Sequence, residues 1–357
     1  MSRFLDKKLA GLTPYVPGEQ PKGIEDLIKL NTNESPFPPS PKAVAAVTEE
    51  AVKDLRLYPD PECTGLTAAI AEALNVSADQ VATGNGSDEL LAFCFHGLCP
   101  DGAAFPDITY GFYPVFCEMF GAKSTVIPLK EDFTVDPKDY AGLKETVFLA
   151  NPNAPTGIFL PLDGVRELLS QDPDRLVVVD EAYVDFGAES AAALLGEYEN
   201  LLVVRTFSKS RQLAGARLAF AVGSSELIAD VKTMKFSFNP YSANRIALIA
   251  GEQTMRDTEY FDRCRAEIIE NREYTADSLR RLGFHVPESR TNFVFAGNPE
   301  LGGRRYYEAL RDRGILVRYF DKDRIRDYVR ITIGTKKQME TLVRATEEII
   351  GMGGSIR

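Results

Sequence analysis

The chain has 357 residues, with 41 Lys and Arg against 52 Asp and Glu, a formal net charge of −11 and 44 % hydrophobic residues. That length exceeds one ordinary core, so two folded units with ample apolar material are expected. The acidic balance, with no basic block, argues against a nucleic-acid or anionic-membrane partner, and no apolar run approaches a membrane span.

The first residues, "MSRFLDKKLAGL", lack the apolar centre of a signal peptide. Residues 12–23, "LTPYVPGEQPKG", are rich in Pro and Gly and read as an irregular arm. A short apolar run and a four-proline turn follow in "LIKLNTNESPFPPSP" (27–41). Ser40 is an N-cap type and Pro41 a first-turn proline, and Val44, Val47, Ala51, Val52 and Leu55 recur at helical spacing, which predicts a helix over 40–55. Further helices are predicted from Gly65 to Leu74 and from about Ser87, after the turn "GNGSDE".

Four short β-branched runs then alternate with helical or turn segments: "VFLA" (147–150), "LVVV" (176–179), "LLVV" (201–204) and "LAFAV" (218–222). The expected fold class is α/β, with a mostly parallel buried sheet flanked by helices. From about residue 240 the pattern changes to a long helix over 257–283, strands at "TNFVFA" and "VRITIG", and helices near 301–313 and 335–350. This predicts a smaller α+β unit. The expected organisation is an N-terminal arm (1–40) packing with the small unit, a large unit (41–245) and a small unit (246–357).

The five cysteines, at 63, 94, 99, 117 and 264, form no CxxC, and only His96 and His285 could join them on a metal. No metal site is expected, and reduced cysteines in a cytoplasmic protein are the natural reading. With two histidines in the chain, the reacting group is expected to be something else.

Three of the apolar strands run into polar residues: "NPNAPTG" (151–157), "DEAYVDF" (180–186) and "RTFSK" (205–209). Ligands of open parallel sheets bind beyond the carboxyl ends of the strands. Taken singly, Asp180 could cap a helix, Asn153 could shape a proline turn and Tyr183 could be core. Together with Thr206, Ser208 and Lys209 they describe a polar pocket. Gly86 and Ser87 would open a helix whose free N–H groups suit an anion, although neither a dinucleotide GxGxxG nor a GxxxxGK[ST] loop is present. Arg205, Lys209, Arg211 and Arg217 lie within thirteen residues, which is costly unless they splay into solvent or an anion sits among them. A lysine among cations has a lowered pKa, and its neutral amine can form an imine. A small phosphate, a reactive lysine and a strand-end aspartate for a pyridine nitrogen together describe pyridoxal phosphate (PLP) chemistry.

The same residues resemble the fold-type-I, PLP-dependent aminotransferases, most closely the histidinol-phosphate aminotransferases. The resemblance runs nearly end to end through "PYVPG" (14–18), "LNTNESPFPPSP" (30–41), "YPDP" (58–61), "GNGSDE" (84–89), "PDITYGFY" (106–113), "NPNAPTG", "VVVDEAYVDF" (177–186), "TFSKSRQLAGAR" (206–217) and "GILVRYF…YVRITIGT" (314–335). It implies that Lys209 bonds the cofactor and then moves a proton at the substrate Cα. Asp180 would pair with the pyridine nitrogen, Tyr183 would bond the ring's phenolic oxygen, and Tyr110 would stack on the ring. Gly86, Ser87, Asp88, Thr206, Ser208 and Arg217 would surround its phosphate, and Tyr58 would reach the phosphate held by the other subunit, so a homodimer with shared active sites is implied. For the substrate, Arg330 would grip the α-carboxylate, and Arg318 and Tyr15 the distal phosphate.

One position departs from the family pattern: where asparagine usually precedes "PTG", this chain has Ala154, with Asn153 one place earlier. Asn153 is the expected substitute partner of the phenolic oxygen. The implied reaction is transamination between L-histidinol phosphate and 2-oxoglutarate, giving imidazole-acetol phosphate and L-glutamate. An aromatic-amino-acid aminotransferase, or a PLP-dependent decarboxylase of a phosphorylated amino acid, would share the scaffold. A regulatory protein that keeps the fold would need a basic DNA-binding segment, which the sequence lacks.

Overall fold

The structure is a computed structural model that describes residues 4–9, 11–21 and 26–353. The arm is irregular over 12–21, and the end of its predicted span, 22–23, lies outside the described residues. In chain order the elements are β1 (Ile28–Lys29), α1 (Pro41–Ala46), α2 (Glu49–Lys53), α3 (Thr64–Leu74), β2 (Val81–Gly84), α4 (Ser87–Gly97), β3 (Ala103–Pro106), α5 (Tyr113–Phe120), β4 (Ser124–Ile127), β5 (Thr146–Ala150) and α6 (Leu162–Ser170). There follow β6 (Val177–Asp180), β7 (Leu201–Thr206), β8 (Ala219–Val222), α7 (Ser225–Phe238), α8 (Arg245–Arg256), α9 (Thr258–Arg281), β9 (Phe293–Gly297), α10 (Gly303–Arg311), β10 (Ile315–Leu316), β11 (Arg318–Tyr319), β12 (Tyr328–Thr332) and α11 (Lys336–Gly353).

Seven strands form the larger sheet in the order β2-β8-β7-β6-β5-β3-β4, in which β8 alone runs against its neighbours. Val147, Phe148, Leu149, Val177, Val178, Val179 and Leu201–Val204 are all essentially inaccessible, because helices cover both faces of these continuous apolar strands. The register sets Ala150 beside Asp180 and Asp180 beside Val204, so β5 and β6 finish level and β7 runs two residues further, to Thr206. Their polar continuations therefore emerge along one edge.

A three-stranded antiparallel sheet, β11-β12-β9, packs with α9, α10 and α11 around Ile268, Leu279, Val294, Leu310, Ile331 and Leu342. The N-terminal segment reaches this region through β1, which pairs in parallel with β10. Among the described residues no helix is long and apolar enough to cross a membrane.

The predicted helix over 40–55 is instead two helices and a 3-10 turn. Ser40 caps α1 by accepting from the Lys42 N–H, but Thr48 accepts from the Ala51 N–H and starts a second helix after Val47 leaves the helical region. Its apolar stripe also faces outward: Val44, Val52 and Leu55 are 59 %, 50 % and 52 % exposed in the single chain. The spacing therefore spans a break rather than one helix, and of its residues Val47 packs against this chain's core.

Candidate active site

The strand ends and the start of α4 enclose a cavity of about 350 Å³. Ser87, Asp88, Tyr110, Asp180, Tyr183, Thr206, Ser208, Lys209 and Arg217 line it, so residues from four separate stretches meet there. A second cavity of about 450 Å³ adjoins it through Lys209, Tyr183 and Tyr110, and is lined by Tyr15, Arg318 and Arg330.

Lys209 follows β7, and its ammonium donates to the Thr32 carbonyl at 3.3 Å and lies 5.9 Å from the Tyr183 ring centroid. Burial, reinforced by the Arg330 charge, lowers its pKa to about 8. At the end of β6, Asp180 accepts from the Tyr113 hydroxyl at 3.1 Å and from the Ala182 N–H at 3.3 Å. Burial still pushes its carboxyl up to about 7, because neither donor offers a full positive charge.

At the opposite side, Thr206 Oγ1 donates to Ser208 Oγ at 3.0 Å and accepts from the Ser208 N–H at 3.1 Å, which fixes both hydroxyls beside Lys209. Gly86 is the N-cap of α4 at φ +86°, and a Cβ there would come within 2.6 Å of Arg217 Nη2. Gly86 does not itself line the cavity; it makes room for the guanidinium that does. Asp88 accepts from the Tyr110 hydroxyl at 2.7 Å and from Arg217 at 3.3 Å, so its carboxylate ties the arginine to the aromatic ring.

Arg330 and Arg318 are cross-strand partners on β12 and β11. Arg330 donates to the Asn31 carbonyl at 3.1 Å, while its buried Nε has no partner. Arg318 reaches the Val16 and Pro17 carbonyls at 3.2 and 3.4 Å, holding the arm that carries Tyr15; the Tyr15 ring stacks on Phe112 at 4.3 Å.

One expected residue lies elsewhere. Asn153 is absent from both linings because its amide donates to the Ile108 carbonyl at 2.9 Å and to Thr156 Oγ1 at 3.0 Å, beneath the floor; Ala154 faces both cavities in its place. Tyr58 is 78 % exposed and stacks on Tyr241 at 4.6 Å, outside both cavities. Conversely, Thr32, Asn33, Glu34 and Tyr113 belong to the site region and were not singled out. Asn33 and Glu34 sit within "LNTNESPF" and Tyr113 within "PDITYGFY", so the motifs were visible although the roles of these residues were not.

Pyridoxal phosphate, the group the resemblance implies, needs an amine, a carboxylate for its ring nitrogen, a donor for its phenolic oxygen and an anion cradle. Lys209, Asp180, Tyr183 and the Ser87–Ser208–Arg217 corner provide these around one cavity. The buried Asp180 carboxyl without a cation and the unpartnered Arg330 Nε are the open valences such a ligand and its substrate would satisfy. The residues fit.

Residues 25–345 match the family model for aminotransferase class I and II. The chain is 48 % identical over 353 residues to a histidinol-phosphate aminotransferase of Brachyspira hyodysenteriae, covering 98 % of this chain and 99 % of that one. It is 49 % identical over 354 residues to histidinol-phosphate aminotransferase 1 of Bordetella parapertussis, covering 98 % and 99 % of the two chains. Among solved structures, the histidinol-phosphate aminotransferase of Sinorhizobium meliloti in complex with pyridoxal-5'-phosphate superposes with a TM-score of 0.81 at 25 % identity, covering 91 % of each chain. The chain therefore belongs to the aminotransferase class I and II family and, within it, to the histidinol-phosphate aminotransferases.

Proposed function

We infer that the protein catalyses pyridoxal-phosphate-dependent transamination between L-histidinol phosphate and 2-oxoglutarate, a step of histidine biosynthesis. The observation that carries the reading is the convergence of a buried Lys209, a buried Asp180 and the Ser208–Arg217 corner on one cavity, with two arginines in the adjoining one. When bound, pyridoxal phosphate supplies an aldehyde that bonds to amines and a ring that takes up the electrons left when Cα loses its proton.

The chain's own residues do the rest. Lys209, neutral in a large fraction near pH 8, is the nucleophile toward the cofactor and then the base and acid at the substrate Cα. Asp180 would hold a proton on the ring nitrogen, the cationic partner that its buried carboxyl otherwise lacks. Tyr183, rather than Asn153, donates to the phenolic oxygen, since only Tyr183 lines the cavity. Ser87, Thr206, Ser208 and Arg217 hold the phosphate, and Tyr110 covers the ring. Arg330 takes the α-carboxylate, and Arg318 with Tyr15 the distal phosphate.

The same proposal includes a homodimer, in which Tyr58 and the exposed Val44, Val52 and Leu55 meet a second copy. It also includes a cytoplasmic location and a division into arm (1–40), large unit (41–245) and small unit (246–357). The packing of α8 on α1 and α3 supports carrying the large unit on to about residue 257.

The test is a half-reaction titration of cofactor-loaded protein with L-histidinol phosphate, L-glutamate and L-phenylalanine, followed by the cofactor's absorbance. Rapid conversion by histidinol phosphate and glutamate is expected. A preference for phenylalanine would move the function to the aromatic aminotransferases, and loading of a Lys209→Ala variant through a covalent bond would end the assignment of Lys209.

A further inference from the structure

Asn33 is a buried residue with left-handed backbone (φ +56°), and it makes four hydrogen bonds, all to parts of the chain remote in sequence. Its backbone N–H donates to Thr332 Oγ1 at 3.0 Å, and its Oδ1 accepts from the same hydroxyl at 3.0 Å. Its backbone carbonyl accepts from Asn292 Nδ2 at 3.0 Å, and its own Nδ2 donates to the Tyr183 hydroxyl at 2.9 Å.

The orientation of the Asn33 amide gives the direction of each bond. The Thr332 oxygen accepts from the backbone N–H and sends its single proton to Oδ1. The carbonyl end of the Asn33 amide thus faces Thr332, and the NH2 end faces Tyr183. The Tyr183 oxygen is then an acceptor, and its own proton must point elsewhere. Among the described residues no protein acceptor receives that proton, while Tyr183 lines both cavities. The ring itself is held edge-on by Phe293, at 5.1 Å and 86°.

We propose that Asn33 is a positioning residue that commits the Tyr183 hydroxyl to donate its proton into the cofactor cavity. The inference rests on the reading of that cavity as a pyridoxal phosphate site, where the acceptor is the phenolic oxygen. It explains how Tyr183 serves that oxygen in a chain with Ala154 on the cavity floor. Because Thr332 lies on β12 two residues after Arg330, the same bonds tie the carboxylate-binding strand to the cofactor's tyrosine.

The charged groups that act on Tyr183 are Arg330 from β12, Asp180 from β6, Lys209 beyond β7 and Asp88 from α4. None is altered by Asn33→Gly, whereas Asn33→Asp adds a carboxylate of its own. A hydrogen bond donated to the phenolic oxygen draws off negative charge that would otherwise hold a proton on the nitrogen joining Lys209 to the cofactor. Weakening that bond therefore raises the pH at which the bound cofactor's absorbance changes.

The experiment is a pH titration of that absorbance in the loaded protein. Asn33→Gly deletes the side chain at a backbone angle glycine tolerates, and Asn33→Asp keeps the size and the angle but replaces the donor by an acceptor. Each is expected to raise the midpoint by about one pH unit, as is Tyr183→Phe, the scale of one charge-assisted hydrogen bond. In a Tyr183→Phe background, Asn33→Gly is expected to add nothing. Should Asn33→Gly fail to fold, Asn33→Asp is compared with and without Tyr183→Phe, and the part of its shift that vanishes with the hydroxyl reports the positioning while the part that remains is the added charge. A midpoint unmoved in a folded, loaded variant overturns the positioning role alone, as does a shift that persists undiminished with Tyr183→Phe. Absence of any cofactor band in the unsubstituted protein overturns both this role and the reading of the cavity.

Discussion

Tyr113 donates its hydroxyl to Asp180 Oδ2 at 3.1 Å, with both side chains buried at the end of β6. The bond orients the carboxylate but leaves it without a cation, and burial raises Asp180 to about 7. In an unfolded chain the value is about 3.9. Between these two values the folded protein keeps a proton that the unfolded chain has released, so folding stability falls as pH rises through that window. Asp180→Asn removes this share, although Glu181, also pushed to about 7, keeps part of the slope. In cofactor-free protein the variant is expected to gain stability over the unsubstituted chain at pH 8 and much less at pH 5, read from denaturant midpoints. A difference independent of pH would contradict the argument. The same substitution is expected to lower transamination by roughly 10²–10³-fold, since it removes a charge aimed at the reacting system.

Lys209 invites a second pH experiment. Burial, followed by the Arg330 charge, lowers its pKa to about 8 against the opposing charges of Glu34 and Asp88. Removing that charge with Arg330→Leu should raise the lysine's pKa, leaving less neutral amine at a given pH. The pH profile for covalent cofactor uptake is expected to move upward in the variant. An unmoved profile would mean that Arg330 acts on substrate alone.

Much of this site could be read in the sequence because its residues extend buried strands. The runs "VFLA", "LVVV" and "LLVV" announced β5, β6 and β7, and the polar residues after them could only gather at one sheet edge. Strands with weaker patterns were missed. β3 is "AAFP", with no β-branched residue, and β4 is an edge strand with alternate exposure, so neither shows the β-branched apolar run of the central strands. Asn153 was misplaced for a different reason: hydrogen-bond partners around a turn depend on tertiary neighbours such as Ile108, 45 residues away. Asn33 was overlooked because its partners, Tyr183 and Thr332, lie 150 and 299 residues along the chain.

Behind Lys209 lies a charged cluster that the chemistry does not use directly. Arg205 pairs with Asp185 and lies 3.8 Å from Glu181, while Ser210 also donates to Asp185. Burial would raise Asp185, but the Arg205, Arg211 and Arg265 charges and the Ser210 hydroxyl together hold the carboxyl below its ordinary value. Arg205→Met would strand two buried carboxylates, so a loss of roughly 3–5 kcal/mol is expected in denaturant unfolding. The paired change Arg205→Met with Asp185→Leu should recover part of that loss. If the single variant costs no more than a surface ion pair, about 0–1 kcal/mol, the cluster is wetter than its burial indicates.

The outward stripe of α1, α2 and the following turn yields the last prediction. Val44, Val52, Leu55 and Tyr58 are exposed in the single chain, with Tyr58 at 78 %, and such a patch is unusual on a surface that faces only water. If a second copy covers it about a two-fold axis, each subunit sends the same residues across and receives the same in return. Leu55→Asp should then shift the protein toward monomer in sedimentation, because two buried carboxylates would meet no partners. Tyr58→Phe should leave the dimer intact and speed cofactor loss during dialysis, since only one hydroxyl is removed. A Leu55→Asp monomer that retains cofactor and full activity would show that each chain completes its own site, and the shared-site proposal would fall while the assignment of Lys209 stood.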